Sequence, residues 1–309
     1  MSDIKLFQLT GTSATELSGK SAQLEKDLQN HIEANMDALI GVRFLAGEYS
    51  TGKTHKGRID SLGLDENGCP VIVEYKRHSN ENVINQGLFY LDWLQDHQAE
   101  FKWLVMEKIG KTEAKDIEWS GTRLICIASD FNKYDEHAVQ QINRNIELMR
   151  YRYFGDELLL LELVNAQTAN QTAPVAGASL SPKKPAKSIS KDKSQQERLV
   201  EAPPTLVELY QTVCHYVEQL GDEVQRKELK LYTAFKSIRN FVSIVVLSGK
   251  DPRLQMYLKL PGALGEETAF SRDVTSIGHW GTGNLEVNIR TAGDWEKARK
   301  LVDQAYQES

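Results

Sequence analysis

The chain has 309 residues, 40% of them hydrophobic and 26% charged, with a formal net charge of −6; this is the composition of a globular protein long enough for two cores. Its apolar stretches, such as Phe241 to Leu247 and Leu158 to Leu161, are too short to cross a bilayer. Residues 1–20 lack the apolar segment of a signal peptide, so a cytoplasmic protein with no membrane partner is expected.

The charge is unevenly spread. Residues 1–165 hold 18 Lys and Arg against 26 Asp and Glu (−8), residues 166–200 hold 6 against 2 (+4), and residues 201–309 hold 13 against 15 (−2). Nucleic acid would therefore have to meet a local basic patch, or bind through metal ions held by carboxylates. Cys69, Cys126 and Cys214 are far apart and in no metal-ligand spacing. Cys126 lies inside an apolar run and reads as a reduced core thiol.

In chain order, Ala22 to Ile40 has helical periodicity, and Arg58 to Leu64 and Val71 to Arg77 read as two strands around the turn Asp65-Glu66-Asn67-Gly68. Helices are expected from about Asn82 to Gln98 and near Phe101 to Ile109. A buried strand follows at Thr122 to Ser129, then a helix from Tyr134 to Leu148 and strands at Arg150 to Phe154 and Leu158 to Val164. This order gives a mixed α/β layout around one sheet. Residues 166–204, rich in Ala, Ser, Pro, Gln and Lys, read as a flexible basic linker. Its Lys183, Lys184, Lys187, Lys191 and Lys193 could touch phosphates or simply keep a tether in solution. Beyond it, a helix at Thr205 to Leu220, strands at Tyr232 to Lys236, Phe241 to Leu247, Leu254 to Leu260 and Leu285 to Arg290, and a last helix at Asp294 to Tyr306 make a smaller α+β domain. The expected division is 1–165, 166–204 and 205–309.

The hairpin carries the chemistry. Side chains on a strand alternate faces, so Glu74 and Lys76 point one way while Val71, Val73 and Tyr75 point the other. Pairing across the turn brings Asp60 beside them. Two carboxylates and a lysine crowded at one sheet end suit a hard divalent cation, Mg²⁺ or Mn²⁺, and phosphodiester hydrolysis; a surface hairpin with an Asp and a Glu–Lys pair is the plain alternative. On the first helix, Leu28, Ile32, Met36 and Leu39 lie within about 60° of Glu25 on the helical wheel. A metal would explain a carboxylate there, and so would a place at the exposed helix end. Glu33 is the runner-up. Gln86 and Tyr90 lie one turn apart on the helix after the hairpin.

Gly57-Arg-Ile-Asp60, Val-Ile-Val-Glu74-Tyr-Lys76-Arg77, then Gln86 and Tyr90 resemble the active-site pattern of the PD-(D/E)XK nuclease superfamily, and most nearly NucS/EndoMS-type DNA endonucleases. The chain is also similar to uncharacterised bacterial proteins that join such a domain to a C-terminal domain of unknown function. The resemblance implies a restriction-endonuclease-like mixed sheet flanked by helices. It implies Asp60, Glu74 and Glu25 as metal-binding residues, Lys76 and Gln86 as further catalytic residues, Tyr90 beside them, and DNA as substrate, in repair or defence. The DNA-binding domain that precedes the nuclease in NucS-type enzymes has no counterpart here, so mismatch specificity is not implied. Lys53, Lys56, Arg58, Arg77 and Tyr90 are expected to contact the DNA, the basic residues at its backbone. Homodimerisation is left open, as is a nuclease fold that binds nucleic acid or protein without cutting.

Gly47-Glu-Tyr-Ser-Thr-Gly52-Lys53-Thr54 matches a phosphate-binding P-loop, and Leu124 to Asp130 could pass for its partner strand. That mechanism needs a helix beginning at Lys53-Thr54, whereas His55-Lys-Gly57 leads into a strand, so nucleotide hydrolysis is the weaker reading. In the last third, Gly278-His279-Trp280-Gly281-Thr-Gly283 suggests a tight loop. It could hold a base by stacking, although a Trp packed over a strand end is the favoured reading.

Overall fold

The computed structural model describes residues 4–77, 83–168, 193–261, 270–279 and 281–309, without the side chains of residues 53 and 54. The chain divides into two compact units, Met1–Gln167 and Thr168–Ser309.

The first unit opens with a small hairpin, β1 (Leu6–Thr10) and β2 (Ser13–Leu17), and the short β3 (Gly19–Lys20). Two helices follow, α1 (Glu25–Ala34) and α2 (Met36–Ile40). The single helix expected over 22–40 is thus broken at Asn35, whose backbone leaves the helical region at φ −130°. Next come β4 (Val42–Ser50), the one-turn α3 (Gly52–His55), and the hairpin β5 (Arg58–Asp65) and β6 (Pro70–Lys76). Helices α4 (Val83–Asp96), α5 (Gln98–Lys108) and α6 (Lys111–Lys115) lead to β7 (Arg123–Ala128), α7 (Lys133–Gln140), β8 (Asn145–Phe154) and β9 (Leu158–Gln167).

The main sheet runs β3-β8-β7-β6-β5-β4, with β9 on β8. The pairs β6/β7 and β7/β8 are parallel and the others antiparallel. Helix α1 packs on β5 and β6, while α4 packs on β6 and β7. One core joins Leu62, Leu64, Ile72, Leu91, Leu94, Leu124 and Leu148.

The helix expected over 134–148 is overturned in its second half. Asn132 and Asp135 form a capping box for α7, but residues 145–148 belong to β8 and pair with β7 and β9. A strand covered on both faces loses its apolar–polar alternation, and the buried run Ile146, Leu148, Met149 then reads like a helix face. The turn at 65–68 forms as expected: the Asp65 carboxylate accepts the Asn67 and Cys69 amides, and Gly68 takes φ +74°. The three cysteines are free and buried.

The second unit holds α8 (Gln195–Glu201), α9 (Pro204–Glu218), β10 (Gln225–Glu228), β11 (Thr233–Lys236), β12 (Asn240–Leu247), β13 (Arg253–Leu258), β14 (Ser271–Asp273), β15 (Leu285–Ile289) and α10 (Ala292–Gln307). Its sheet, β10-β11-β12-β13-β15-β14, is antiparallel throughout. Helices α9 and α10 pack on it through Val213, Val217, Trp295 and Val302. Thr291 and Asp294 form a capping box at the start of α10. Helix α8 lies inside the stretch read as linker: its buried Gln195 donates to the Ile244 carbonyl and accepts from the Val246 amide. Lys183, Lys184, Lys187 and Lys191 lie outside the described residues. Lys193 pairs with Glu201. Among the described residues, no helix is long and apolar enough to cross a membrane.

Candidate active site

Strands β5 and β6 pair from Leu64↔Pro70 up to Ser61↔Val73. One step further they part, and carboxylates take over the ladder. Glu74 Oε1 accepts the Asp60 amide at 3.2 Å, and Asp60 Oδ2 accepts the Tyr75 amide at 3.0 Å. Glu74 is 0% exposed, and its Oε2 has no hydrogen-bond partner. Burial, reinforced by the Asp60 charge, pushes its carboxyl up to about 9. Burial also raises Asp60, against the lowering effect of the Tyr75 amide.

Lys76 is largely buried and donates to Glu25 Oε1 at 3.2 Å; Glu25 Oε2 accepts the Arg77 amide at 3.2 Å. Burial pulls the Lys76 ammonium down, but the charges of Glu25 and Asp60 outweigh it, so its pKa ends above the ordinary value. Glu25 is the first residue of α1 and partly exposed. It occupies the exposed helix end and holds Lys76, while its negative charge is still felt at Asp60.

Gln86 and Tyr90 flank the start of β5. The Tyr90 hydroxyl accepts the Arg58 amide at 3.1 Å and lies 3.4 Å from the Gln86 amide nitrogen, which donates to it. Gly57 is required here, since an added Cβ would lie 2.5 Å from the Tyr90 ring. Of the basic residues expected near DNA, Arg58 is ion-paired with Glu48, which also binds Lys26. Lys56 is exposed and left-handed at φ +50°, and Arg77 is exposed. The Lys53 side chain lies outside the described residues.

Sequence reasoning missed the support beneath the carboxylates. Gln29, 3% exposed, donates to the Asp60 carbonyl at 2.8 Å and to Glu33 at 2.9 Å. The same Glu33 oxygen accepts Ser61 Oγ at 2.7 Å, and Ser61 Oγ lies 3.1 Å from the Tyr75 hydroxyl. Glu33 thus braces β5 from behind. Gln29 shares α1 with Leu28 and Ile32, and a polar residue beside buried ones was the signal that could have found it.

Among the described residues, no group of three or more His, Cys, Asp or Glu is gathered as a ready metal cage. The Asp60–Glu74 pair nonetheless suits a hard cation. It offers only oxygen donors, its Glu74 is fully buried, and it leaves an unpartnered carboxylate oxygen that a cation would satisfy.

The P-loop reading fails on geometry. Gly47 to Ser50 are strand residues of β4, and the helix at Gly52 is a single turn, not the long helix whose N-terminus would cradle phosphates. In the second unit, the His279 ring stacks on Tyr257 at 4.2 Å, with the planes 8° apart. Trp280 lies outside the described residues.

Comparison with known proteins matches residues 196–309 to a domain of unknown function, DUF5655. An uncharacterised protein of Haemophilus influenzae is 28% identical over 312 residues, covering 99% of this chain and 100% of that protein. Two solved structures resemble part of the chain. A repair endonuclease from Pyrococcus abyssi shares 18% identity over 43% of this chain and 49% of its own, with a TM-score of 0.28. An EndoMS structure in complex with double-stranded DNA shares 19% over 44% and 47%, with a TM-score of 0.25. Each alignment spans about half of the solved chain, and likenesses this shallow carry no argument about chemistry.

Proposed function

We propose that the first unit is a metal-dependent DNA endonuclease that hydrolyses phosphodiester bonds. The observation that carries this reading is the Asp60–Glu74 pair, Glu74 fully buried with one oxygen unpartnered, beside the largely buried Lys76. Asp60 and Glu74 would hold Mg²⁺ or Mn²⁺, with the Tyr75 carbonyl as a further ligand. Such an ion supplies charge neutralisation at the phosphate and lowers the pKa of an attacking water.

Lys76 orients that water and offsets the negative charge that builds on the phosphate oxygens as the phosphorus–oxygen ester bond breaks. Glu25 keeps the ammonium in place and charged. Gln29 and Ser61 hold the backbone of β5, and so Asp60, against α1. Tyr90 fixes the entry to β5 through the Arg58 amide, with Gln86 supporting its hydroxyl. Lys56, Arg77 and, once released from Glu48, Arg58 are exposed enough to meet the phosphate backbone.

The test is cleavage of labelled single-stranded, duplex, mismatched and branched DNA with Mg²⁺ or Mn²⁺, comparing wild type with Lys76→Ala. Metal-dependent cutting that falls by at least about a hundredfold in the variant supports the reading, in line with the loss of one electrostatic group at a reaction centre. Equal cutting by both proteins, or none on any substrate, refutes it.

A further inference from the structure

Where β4 meets β5, one acid holds two cations beside the carboxylate pair. Glu48 Oε1 accepts from Lys26 Nζ at 2.8 Å, and Oε2 is paired with Arg58 Nε. The ladder sets Gly47 opposite Ser61 and Tyr49 opposite Ile59, so Glu48 stands beside Asp60. The Asp60 carboxyl, raised first by burial, also feels the Glu48 charge. Arg58 precedes Asp60 by two residues of the same strand, a reach of about 7 Å.

The backbone is held against its preference to make this contact. Glu48 takes φ +53°, a left-handed conformation that side chains with a Cβ rarely adopt. Among the described residues, the other non-glycine residue of this kind is Lys56, at +50°, in the connection from β4 to β5. Such strain gathers at active sites and ligand clamps, and exposed ion pairs return too little stability to account for it.

Both cations are within reach of an incoming anion, since the Lys26 side chain is 51% exposed and that of Arg58 68%. Lys26 also donates to Gln29 Oε1 at 3.0 Å, and Gln29 donates in turn to the Asp60 carbonyl. The ammonium therefore keeps a second anchor when Glu48 leaves. A carboxylate with one oxygen on each cation has the charge and the two acceptors of a phosphodiester.

We propose that Lys26 and Arg58 bind a DNA backbone phosphate next to the scissile one, and that Glu48 stands in for that phosphate in the free protein. The place next to a scissile bond rests on the nuclease reading; the capture of a phosphate does not. DNA must first displace Glu48, so the acid weakens binding and removes part of its salt dependence.

Full-length protein is titrated in EDTA with labelled single-stranded and duplex DNA over a range of salt concentrations. Wild type is compared with Glu48→Gln, which keeps the shape and removes the charge, and with Glu48→Asn, which suits a left-handed backbone. Both variants are expected to bind about tenfold tighter at low salt, because two exposed ion pairs no longer have to be broken. Their log K should also fall more steeply with log salt, by about 0.9 on duplex or 0.7 on a single strand, as for one further phosphate contact.

Removing any acid near DNA favours binding, so the deciding background is Lys26→Ala combined with Arg58→Ala. That protein should bind more weakly than wild type, and adding Glu48→Gln to it should change affinity by less than about twofold, since the partners of the effect are gone. A full gain in that background, variants no tighter than wild type, or no DNA binding by any of the proteins overturns the proposal. Binding is read without cutting. The expected pattern without any metal-dependent cleavage would thus keep the phosphate site and remove the nuclease reading.

Discussion

At Glu74 the chain holds a carboxylate that is fully buried, partly unbonded and within reach of another carboxylate. That arrangement costs stability unless a cation or a proton joins it. Glu74→Gln keeps the shape and removes the charge, so its melting temperature in EDTA should be no lower than that of wild type. Wild type should gain stability on adding Mn²⁺, by about 2.7 kcal/mol at a hundredfold excess over Kd, and the variant should gain none. A variant that Mn²⁺ still stabilises would remove Glu74 from the set of ligands.

Arg123 is the opposite case, a buried charge fully answered: it lies 3.2 Å from Asp65 and makes two bonds of 2.8 and 2.7 Å to Glu147. Removing one partner strands the other charges, and Glu147→Ala should cost about 3–5 kcal/mol in urea unfolding. A loss below about 1 kcal/mol would mean that water reaches the guanidinium.

At the scale of elements, the β5–β6 hairpin was legible because alternation and the Asp-Glu-Asn-Gly turn agree on one register, and that register puts Asp60, Glu74 and Lys76 together. The first half of β8 was not legible, because a strand covered on both faces carries no alternation. Glu25 was read from its helical wheel as central to an apolar face. The helix begins at that residue, and a helix start without a side-chain cap leaves little trace in sequence. Gln29 and Glu33 are one turn apart on α1, but their contacts with Asp60 and Ser61 arise only from the packing of α1 on β5, which periodicity within one element does not encode.

Tight approach between elements gives a further test. Gly57→Ala would push the Tyr90 ring away from the start of β5. A cost of about 1–3 kcal/mol in stability is expected, with a fall in cutting, measured by thermal unfolding alongside the cleavage assay. Unchanged values for both would show that Tyr90 does not position β5.

At the scale of the whole chain, each unit has its own core, and the second one begins earlier than composition suggested. Gln195 satisfies two buried backbone groups of β12 from a segment that reads as tether. A fragment of residues 193–309 should therefore unfold in one cooperative step. A fragment of residues 203–309, lacking α8, should be less stable by about 1–3 kcal/mol for each backbone group left bare. Equal stability of the two fragments would reduce α8 to an ornament of the linker.

The sheet order also sets a sequence of events in time. Strands β5 and β6 are joined by residues 66–69, whereas β6 reaches its parallel neighbour β7 only after residues 77–122. A hairpin closes in about 1–10 μs, while long-range parallel pairing is intrinsically slow. The chain is thus expected to bring Asp60 and Glu74 face to face early, before Lys76 can meet Glu25 from a helix 51 residues upstream. Until that helix docks, the two acids repel each other in a half-built sheet, and divalent cations present during refolding should speed the step that follows.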